Sequence, residues 1–357
     1  MNNNTTIGID LGNTKHTVCA LDADGEILFR KEIANTPEAL KPFFDENRGA
    51  TVAMETGLCC RWVSALARVC GCDTIVGNAR KLAAIYEDKH KNDANDAEKI
   101  ARIARADRKL FHPVALRDDE HHLLMQILEL RDGEVRARTR RINSIRGMCK
   151  AAAVFLPDCD AASFHKVAPG AMPNAQRKLF KPALDALSAS DRAIRRYDAM
   201  IEDYCRKQFR AETELLQTVP GVGQITAAAF VAAIDDPAKF GRARDAGAYF
   251  GLTPAQDQSG ASDAPKRITK AGNDMVRKLL VNCANRVLRK DAKDTSLKRH
   301  GDRISARGGK IAKRKAKVAV ARKMAVMMLA MLKSGREYDD ALAGAPPAAS
   351  TEPEHAA

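Results

Sequence analysis

Apolar and polar positions change their period twice along this chain. Over the first hundred residues, short apolar runs alternate with stretches of helical period. Thr5–Asp10 reads as a short buried strand. Thr17–Leu21 and Glu26–Ile33 read as two more, joined by Asp22-Ala-Asp-Gly25, whose Asp-Gly suits a hairpin turn. Pro37–Asn47 reads as a helix, Thr51–Met54 as a buried strand, Arg61–Val69 as a helix and Thr74–Val76 as a strand. Asp93–Arg105 reads as a helix with Ala97, Ile100, Ala101 and Ile103 on its inner side. Three strands in a meander, then strands joined by helices, predict a mixed sheet covered by helices.

The period then lengthens. Leu128, Val135, Ile142 and Cys149 recur every seven residues, as do Leu187, Ile194 and Ile201. They predict two arms of a coiled coil or helical hairpin, broken by the proline-bearing stretch Leu156–Ala175. The first arm carries Arg131, Arg136, Arg138, Arg140, Arg141 and Arg146, either a solvated face or a nucleic-acid contact. From Leu216 the pattern becomes a compact helical unit ending in a helix over about Ala316–Leu332, and the Ala/Pro/Glu-rich tail from Ala343 is expected to lack order. The expected class is α/β plus all-α. Its divisions are 1–115 for the sheet domain, 116–212 for the helical arms, 213–336 for the C-terminal helical domain and 337–357 for the tail.

Charge changes this picture most. The net charge is +14, but Lys266–Arg336 alone carries +18, leaving −4 for the rest. So concentrated a field needs a polyanion. Aromatics make up only 5%, which disfavours recognition by base stacking. No apolar run reaches the roughly 18 residues of a membrane span. The polar start Met1–Ile7 lacks a signal-peptide core, so a prokaryotic cytoplasm is the expected setting. Nine cysteines without a CxxC pair read as reduced, mostly buried apolar residues.

Four carboxylates stand where strands end and a helix begins. Asp10 closes the apolar run Ile7-Gly-Ile-Asp, and Glu55 closes Val52-Ala-Met-Glu. Asp93 and Asp96, three apart, share one face at a helix start. If the two strands are neighbours, the four gather at one end of the sheet and repel. Hard divalent Mg2+, with Mn2+ as the alternative, offsets that repulsion and suits phosphoryl transfer. Each piece has a plainer reading, since Asp93 could simply cap its helix. The order strand-Asp, strand-Glu, helix-AspxxAsp resembles the RuvC-like branch of the ribonuclease H superfamily. Ile7-Gly-Ile-Asp-Leu-Gly12 also resembles the first phosphate loop of actin-like ATPases and sugar kinases. No further nucleotide-binding Gly-rich loop follows at such a place; Gly308-Gly309 lies inside the Lys/Arg field.

In the second half, Pro220-Gly-Val-Gly223 resembles a helix-hairpin-helix turn, where Gly221 and Gly223 would let backbone N–H groups approach a DNA phosphate. A plain tight turn between core helices is the alternative. Ser259 lies in a polar Gln-Ser-Gly, followed closely by Lys266, Arg267 and Lys270. A serine hydroxyl can attack a phosphodiester when a base or metal takes its proton and cations hold the phosphorane charge. A Ser-Gly in a loop is otherwise unremarkable. Lys313, Arg314, Lys315 and Lys317 extend the basic surface available to nucleic acid.

Leu-Thr-Pro254, Gln258-Ser-Gly260, Ile268-Thr-Lys-Ala-Gly-Asn273 and Lys317-Val-Ala-Val-Ala-Arg-Lys323 follow the acidic residues in order. With Leu130-Arg-Asp and Arg140-Arg-Ile-Asn-Ser-Ile-Arg-Gly147, this series resembles insertion-sequence-110 family transposases over roughly Ile7–Leu332. The resemblance implies a RuvC-like domain with Asp10, Glu55, Asp93 and Asp96 as a metal-holding tetrad. It also implies a nucleophilic serine, aligned with Ser259 and with Ser262 as its rival, that joins covalently to DNA. It further implies DNA ends and target as substrates, an element-encoded structured RNA as guide, and a homodimer or homotetramer. A metal-only nuclease or junction resolvase, and a non-catalytic DNA- or RNA-binding protein, are the competing readings.

Overall fold

The computed structural model describes residues 5–83, 93–255 and 267–341. The tail from Ala343, Ser259, Ser262 and Lys266 lie outside the described residues, as does the side chain of Asp93. Two compact units divide the chain, Met1–Leu116 and Arg117–Ala357.

The first unit runs β1 (Thr6–Asp10), β2 (Lys15–Leu21), β3 (Ile27–Ala34), α1 (Pro37–Glu46), β4 (Thr51–Glu55), α2 (Cys60–Val69), β5 (Asp73–Gly77), α3 (Ala79–Ala83) and α4 (Asp93–Ala106). The five strands form one mixed sheet in the order β3-β2-β1-β4-β5. The first three are antiparallel, and β4 and β5 run parallel to β1. The β2–β3 turn is fixed locally. Asp22 Oδ1 accepts from the amides of Asp24 and Glu26, and Gly25 sits at φ +88, a backbone conformation that glycine adopts without penalty.

Both faces of the sheet are covered. Ile7, Ile9, Val18, Ala20, Val52, Met54 and Val76 form one core on the side of α1 and α2. Their sequence neighbours point the other way: Ala53 and Ile75 pack with Ile100, Ala104 and Phe111, and Cys19 and Leu21 pack with Ala97 and Ala101. Two-sided burial is why β1 and β4 read as continuous apolar runs rather than alternating ones. Each large side chain so buried contributes roughly 1.5–3 kcal/mol.

The second unit runs α5 (Asp119–Ala151), α6 (Phe164–Val167), α7 (Asn174–Gln208), α8 (Arg210–Gln217), α9 (Gln224–Ile234), α10 (Asp245–Tyr249), α11 (Asp274–Val287), α12 (Ser296–Ser305) and α13 (Gly309–Ser334). The long helices α5 and α7 pair antiparallel, as Arg131–Asp198 and Arg138–Asp191 mark. One stretch of the pair, with Leu124, Leu128, Ile201 and Cys205, joins the core of the later helices. Another, with Ile142, Ile145, Cys149 and Leu187, closes over Phe164. α9 is buried at every residue from Thr226 to Ile234, the pattern of a helix at the centre of its core.

Four of the six arginines on α5 are engaged by the rest of the helical unit. Arg138 Nη1 lies 2.6 Å from the fully buried Asp191, and Arg141 Nη1 donates to Ser190 Oγ at 2.9 Å. Arg131 pairs with Asp198, and Arg146 donates to Pro157 O at 3.0 Å. These four hold α7 and the break between the arms. Arg136 pairs with Asp132 on its own helix, while Arg140 is exposed.

All nine cysteines are free; seven are buried, and Cys59 and Cys159 are partly exposed. Burial pushes the Cys72 and Cys205 thiols up to about 11, which keeps them protonated and unreactive. Among the described residues no helix is long and apolar enough to cross a membrane.

Candidate active site

Strand register sets Asp10 beside Glu55. β1 and β4 are parallel with Ile9 opposite Met54, so the next residues along, Asp10 and Glu55, are neighbours across adjoining strands. Side chains alternate along a strand. Asp10 therefore shares the side of Gly8 and Glu55 the side of Ala53, and Ala53 faces α4. Both carboxylates leave the sheet on the α4 side, at the strands' C-terminal ends.

α4 brings its own acidic residues to the same end. It crosses β1 at Gly8, where an added Cβ would lie 2.1 Å from Ala97 O and 2.5 Å from Ala101 N. Its last turns sit at the opposite end of the strands. There Arg102 Nη1 donates to Gly25 O at 3.1 Å, and Arg105 bonds Ala23 O, in the turn beyond Leu21, the partner of Thr6. The start of α4 thus lies toward Asp10 and Glu55. Asp96, one residue before Ala97, is half-buried with Lys99 Nζ 3.9 Å from its carboxylate. Asp93 is the first residue of the helix.

The loop after β1 is held from below. Asn35 Nδ2 donates to Asn13 O at 2.9 Å and Gly12 O at 3.2 Å. Nearby His16 is fully buried, and burial lowers its pKa, so the ring is neutral. Neither residue stands out in the sequence, because a lone Asn or His carries no periodic signal.

A second acidic group lies at the start of α5. Among the described residues, Asp118, His121 and Asp235 are the three potential metal ligands whose donor atoms lie within 4.8 Å of one another. Asp118 caps α5, accepting from His121 N at 2.8 Å, while His121 Nδ1 lies 2.7 Å from Asp118 Oδ1 and 3.4 Å from Asp235 Oδ1. Burial raises the Asp118 pKa, but the His121 amide and ring outweigh it and hold the carboxyl below its usual range. Lys239 pairs with Asp235. With a lysine and a histidine already supplying donors, this cluster ties the start of α5 to the end of α9.

In the second unit, the residues flanking the Ser259 segment are anchored. Ala255 N donates to Arg267 O and Thr269 N to Thr253 O, both at 2.9 Å, with a bridge between Pro254 and Ile268. Two glycines permit this close approach. A Cβ on Gly251 would lie 2.3 Å from Ala271 N, and one on Gly272 would lie 1.9 Å from Tyr249 O. Arg277, buried on α11, donates to Ala271 O at 2.7 Å and Phe250 O at 3.1 Å, and Asn273 Oδ1 caps α11 at Val276 N. Sequence reasoning missed Arg277, whose one signal is a charged residue on the apolar side of an amphipathic helix. The Leu-Thr-Pro and Lys-Ala-Gly-Asn motifs thus build a neck. Arg267 and Lys270 are exposed on it.

The other basic residues divide by position. Lys313, Arg314, Lys315 and Lys317 are exposed on α13, which buries Ala312, Ala316 and Val320 on its inner side. None of the four forms an ion pair among the described residues. Gly221 and Gly223 form the turn into α9. A Cβ on Gly221 would meet Val287 Cγ2 at 3.0 Å and Cys283 O at 3.1 Å, so that glycine serves packing against α11, whereas Gly223 faces open space at the helix start.

Comparison with known proteins converges on these features. A transposase family model, the DEDD transposase of IS110 elements, matches residues 7–152, which contain all four acidic positions. The model described as "Transposase IS116/IS110/IS902 family" matches residues 213–300, which contain the neck. The chain is 27% identical over 296 residues to the transposase for insertion sequence element IS1111A of Coxiella burnetii, covering 79% of this chain and 78% of that one. It is 28% identical over 294 residues to the transposase for insertion sequence element IS1328 of Yersinia enterocolitica, covering 80% and 84%. A mixed sheet bearing acidic residues at one end, joined to a basic helical unit, is that of a DNA transposase, an enzyme of DNA recombination. The chain belongs to the IS110 family of insertion-sequence transposases. The DEDD family implies use of a divalent metal, and transposition makes DNA a partner.

Proposed function

We propose that the first unit is a RuvC-like domain in which Asp10, Glu55, Asp93 and Asp96 hold Mg2+ beside a DNA phosphodiester, and that Ser259 attacks that phosphodiester. One observation carries the reading: register, side-chain alternation and the Gly8 crossing send Asp10 and Glu55 to the end and side of the sheet where α4 begins. The donor set fits the ion. All four are hard carboxylate oxygens, and such groups 4 Å apart repel by about 4 kcal/mol at an effective dielectric near 20, which a divalent cation offsets. The bound ion would supply charge neutralisation at the scissile phosphate.

The chemistry of the chain's own residues is a transesterification. The Ser259 hydroxyl loses its proton, its Oγ–P bond forms, and the bond from phosphorus to the leaving deoxyribose oxygen breaks, that oxygen taking up a proton. A hydroxyl of the second DNA strand reverses the sequence on the phosphoserine and frees the serine. Bond count is conserved, so no external energy source is needed. Arg267 and Lys270, with Lys266, stand near the serine in sequence to neutralise charge. Lys313, Arg314, Lys315 and Lys317, with the α9 start at Gly223, provide phosphate contacts. We further propose an element-encoded RNA as guide and a homodimer or homotetramer as the working assembly, since exchange between two duplexes requires four strand transfers.

The test is a denaturing gel after incubation with DNA carrying the element ends, cognate RNA and Mg2+. Covalent protein–DNA adducts are expected from the wild type and none from Ser259→Ala. Strand cutting that survives Ser259→Ala would remove the serine and leave a metal-only nuclease; adducts surviving Ser259→Ala but not Ser262→Ala would move the nucleophile.

A further inference from the structure

Beyond β5 the sheet gains an edge that the strand order does not count. Gly77 bridges Pro113, Asn78 N donates to His112 O at 3.2 Å, and Val114 N donates to Val76 O at 2.7 Å. Between this edge and the start of α3 lies an open cleft of about 380 Å³, lined by Asn78, Lys81, Lys109, His112, Pro113 and Val114. Among the described residues no carboxylate lines it. Lys81 and Lys109 are exposed, and neither is in an ion pair among the described residues.

The cleft sits at the same end of the sheet as the acidic residues, since Gly77 is the register partner of Glu55. It is also tied to them. Thr56, the residue after Glu55, donates its amide to Gly77 O at 2.9 Å and accepts from Ala79 N at 3.2 Å through Oγ1. At about 4.8 Å per strand, the edge lies roughly 10 Å from Glu55's strand and 15 Å from Asp10's. A DNA strand advances 3.4 Å per nucleotide, so the cleft stands about three to four nucleotides from a phosphate held at the carboxylates.

We propose that this cleft is a phosphodiester-binding subsite, in which Lys81 and Lys109 clamp the backbone of the same DNA strand whose scissile phosphate the carboxylates address. Two ammonium groups lining one small open recess, with Asn78 and His112 beside them, match the charge and hydrogen-bonding capacity of a phosphate. The placement matters because a substrate with negative charge must be held beside a cluster of carboxylates. Positive charge two strand spacings beyond Glu55 counters that repulsion without occupying the metal-holding position. The occupant rests on the reading of the acidic site given above; the phosphate chemistry of the cleft does not.

The full-length protein is titrated with a labelled 30-base-pair duplex in EDTA at several salt concentrations, and with the RNA duplex of the same sequence. Each phosphate contact contributes about 0.9 to the slope of log affinity against log salt. Lys81→Ala/Lys109→Ala is expected to reduce the DNA slope by about 2, Lys81→Arg/Lys109→Arg to preserve it, and Lys31→Ala/Lys41→Ala, on β3 and α1, to leave it unchanged. An unchanged DNA slope in the cleft variant overturns the proposal. A slope that falls with RNA but not DNA also overturns it, and assigns the cleft to RNA. Nothing is cut in EDTA, so this outcome is independent of whether Asp10 and Glu55 act in cleavage.

Discussion

Asp10→Asn should lower single-turnover strand cutting about a thousand-fold while leaving the fold intact and DNA binding in EDTA undiminished. The size follows from what the substitution removes. A carboxylate that helps hold a divalent cation at a reacting phosphate supports several kcal/mol of charge stabilisation, and about 4 kcal/mol corresponds to three decades in rate. The sign on stability runs the other way. Asp10 stands next to Glu55 across parallel strands, so removing one charge relieves repulsion. The melting temperature should hold or rise, the usual signature of a site that trades stability for activity. Denaturing gels read the cutting, gel shifts in EDTA read the binding and calorimetry reads the melting. Cutting within tenfold of wild type would exclude Asp10 from the metal site.

The second large effect is expected from Gly8→Val, which adds no charge and touches no proposed ligand. α4 lies so close to β1 that even a Cβ meets Ala97 O at 2.1 Å and Ala101 N at 2.5 Å, and both are backbone atoms that cannot swing aside. Overpacking of a core costs about 1–3 kcal/mol where side chains can adjust. Here the whole helix must shift, so about 3 kcal/mol is the expected loss, or about 10 °C in the melting of the first unit. The same shift carries Asp93 and Asp96 away from Asp10 and Glu55, so cutting should fall with it. Gly57→Ala is the control. It lies two residues past Glu55, and its added Cβ would meet only Leu11 Cδ1 at 3.9 Å. It should change stability by less than about 0.5 kcal/mol. A Gly8→Val protein as stable and active as wild type would contradict the crossing that places α4.

The candidate acidic positions are legible in the sequence for a specific reason. β1 and β4 are five-residue apolar strands that each end on an acid, and strand ends are marked by the abrupt change from apolar to charged. The α4 face follows from its helical period. What the sequence could not provide was the partner of each strand. Neighbouring β1 and β4 are separated in the chain by β2, β3 and α1, and only the sheet order puts Asp10 beside Glu55.

Other features were hidden because they depend on backbone hydrogen bonds between distant residues. The neck between 251–255 and 267–270 has no strand period, and Pro113 forms an edge through a single bridge. Asp118 and Asp235 meet although 117 residues separate them. The partners of the α5 arginines were hidden for another reason. A run of cations reads as a surface, yet α7 supplies Asp191, Asp198 and Ser190 to receive three of them. The last helix begins at Gly309 rather than near Ala316, because its first turns are mostly lysine and arginine, with Ala312 buried and Ile311 exposed, and so small an apolar signal is outweighed by the charges.

The divalent cation is expected at the carboxylates at the end of the sheet, and not at the Asp118–His121–Asp235 group. Titration of the full-length protein with Mn2+, followed by electron paramagnetic resonance, tests it most directly. Bound Mn2+ is expected in the wild type, with loss of that binding in Asp10→Asn and in Glu55→Gln and no loss in Asp118→Asn, where asparagine still caps α5. Binding that survives Asp10→Asn and Glu55→Gln but disappears in Asp118→Asn would contradict it.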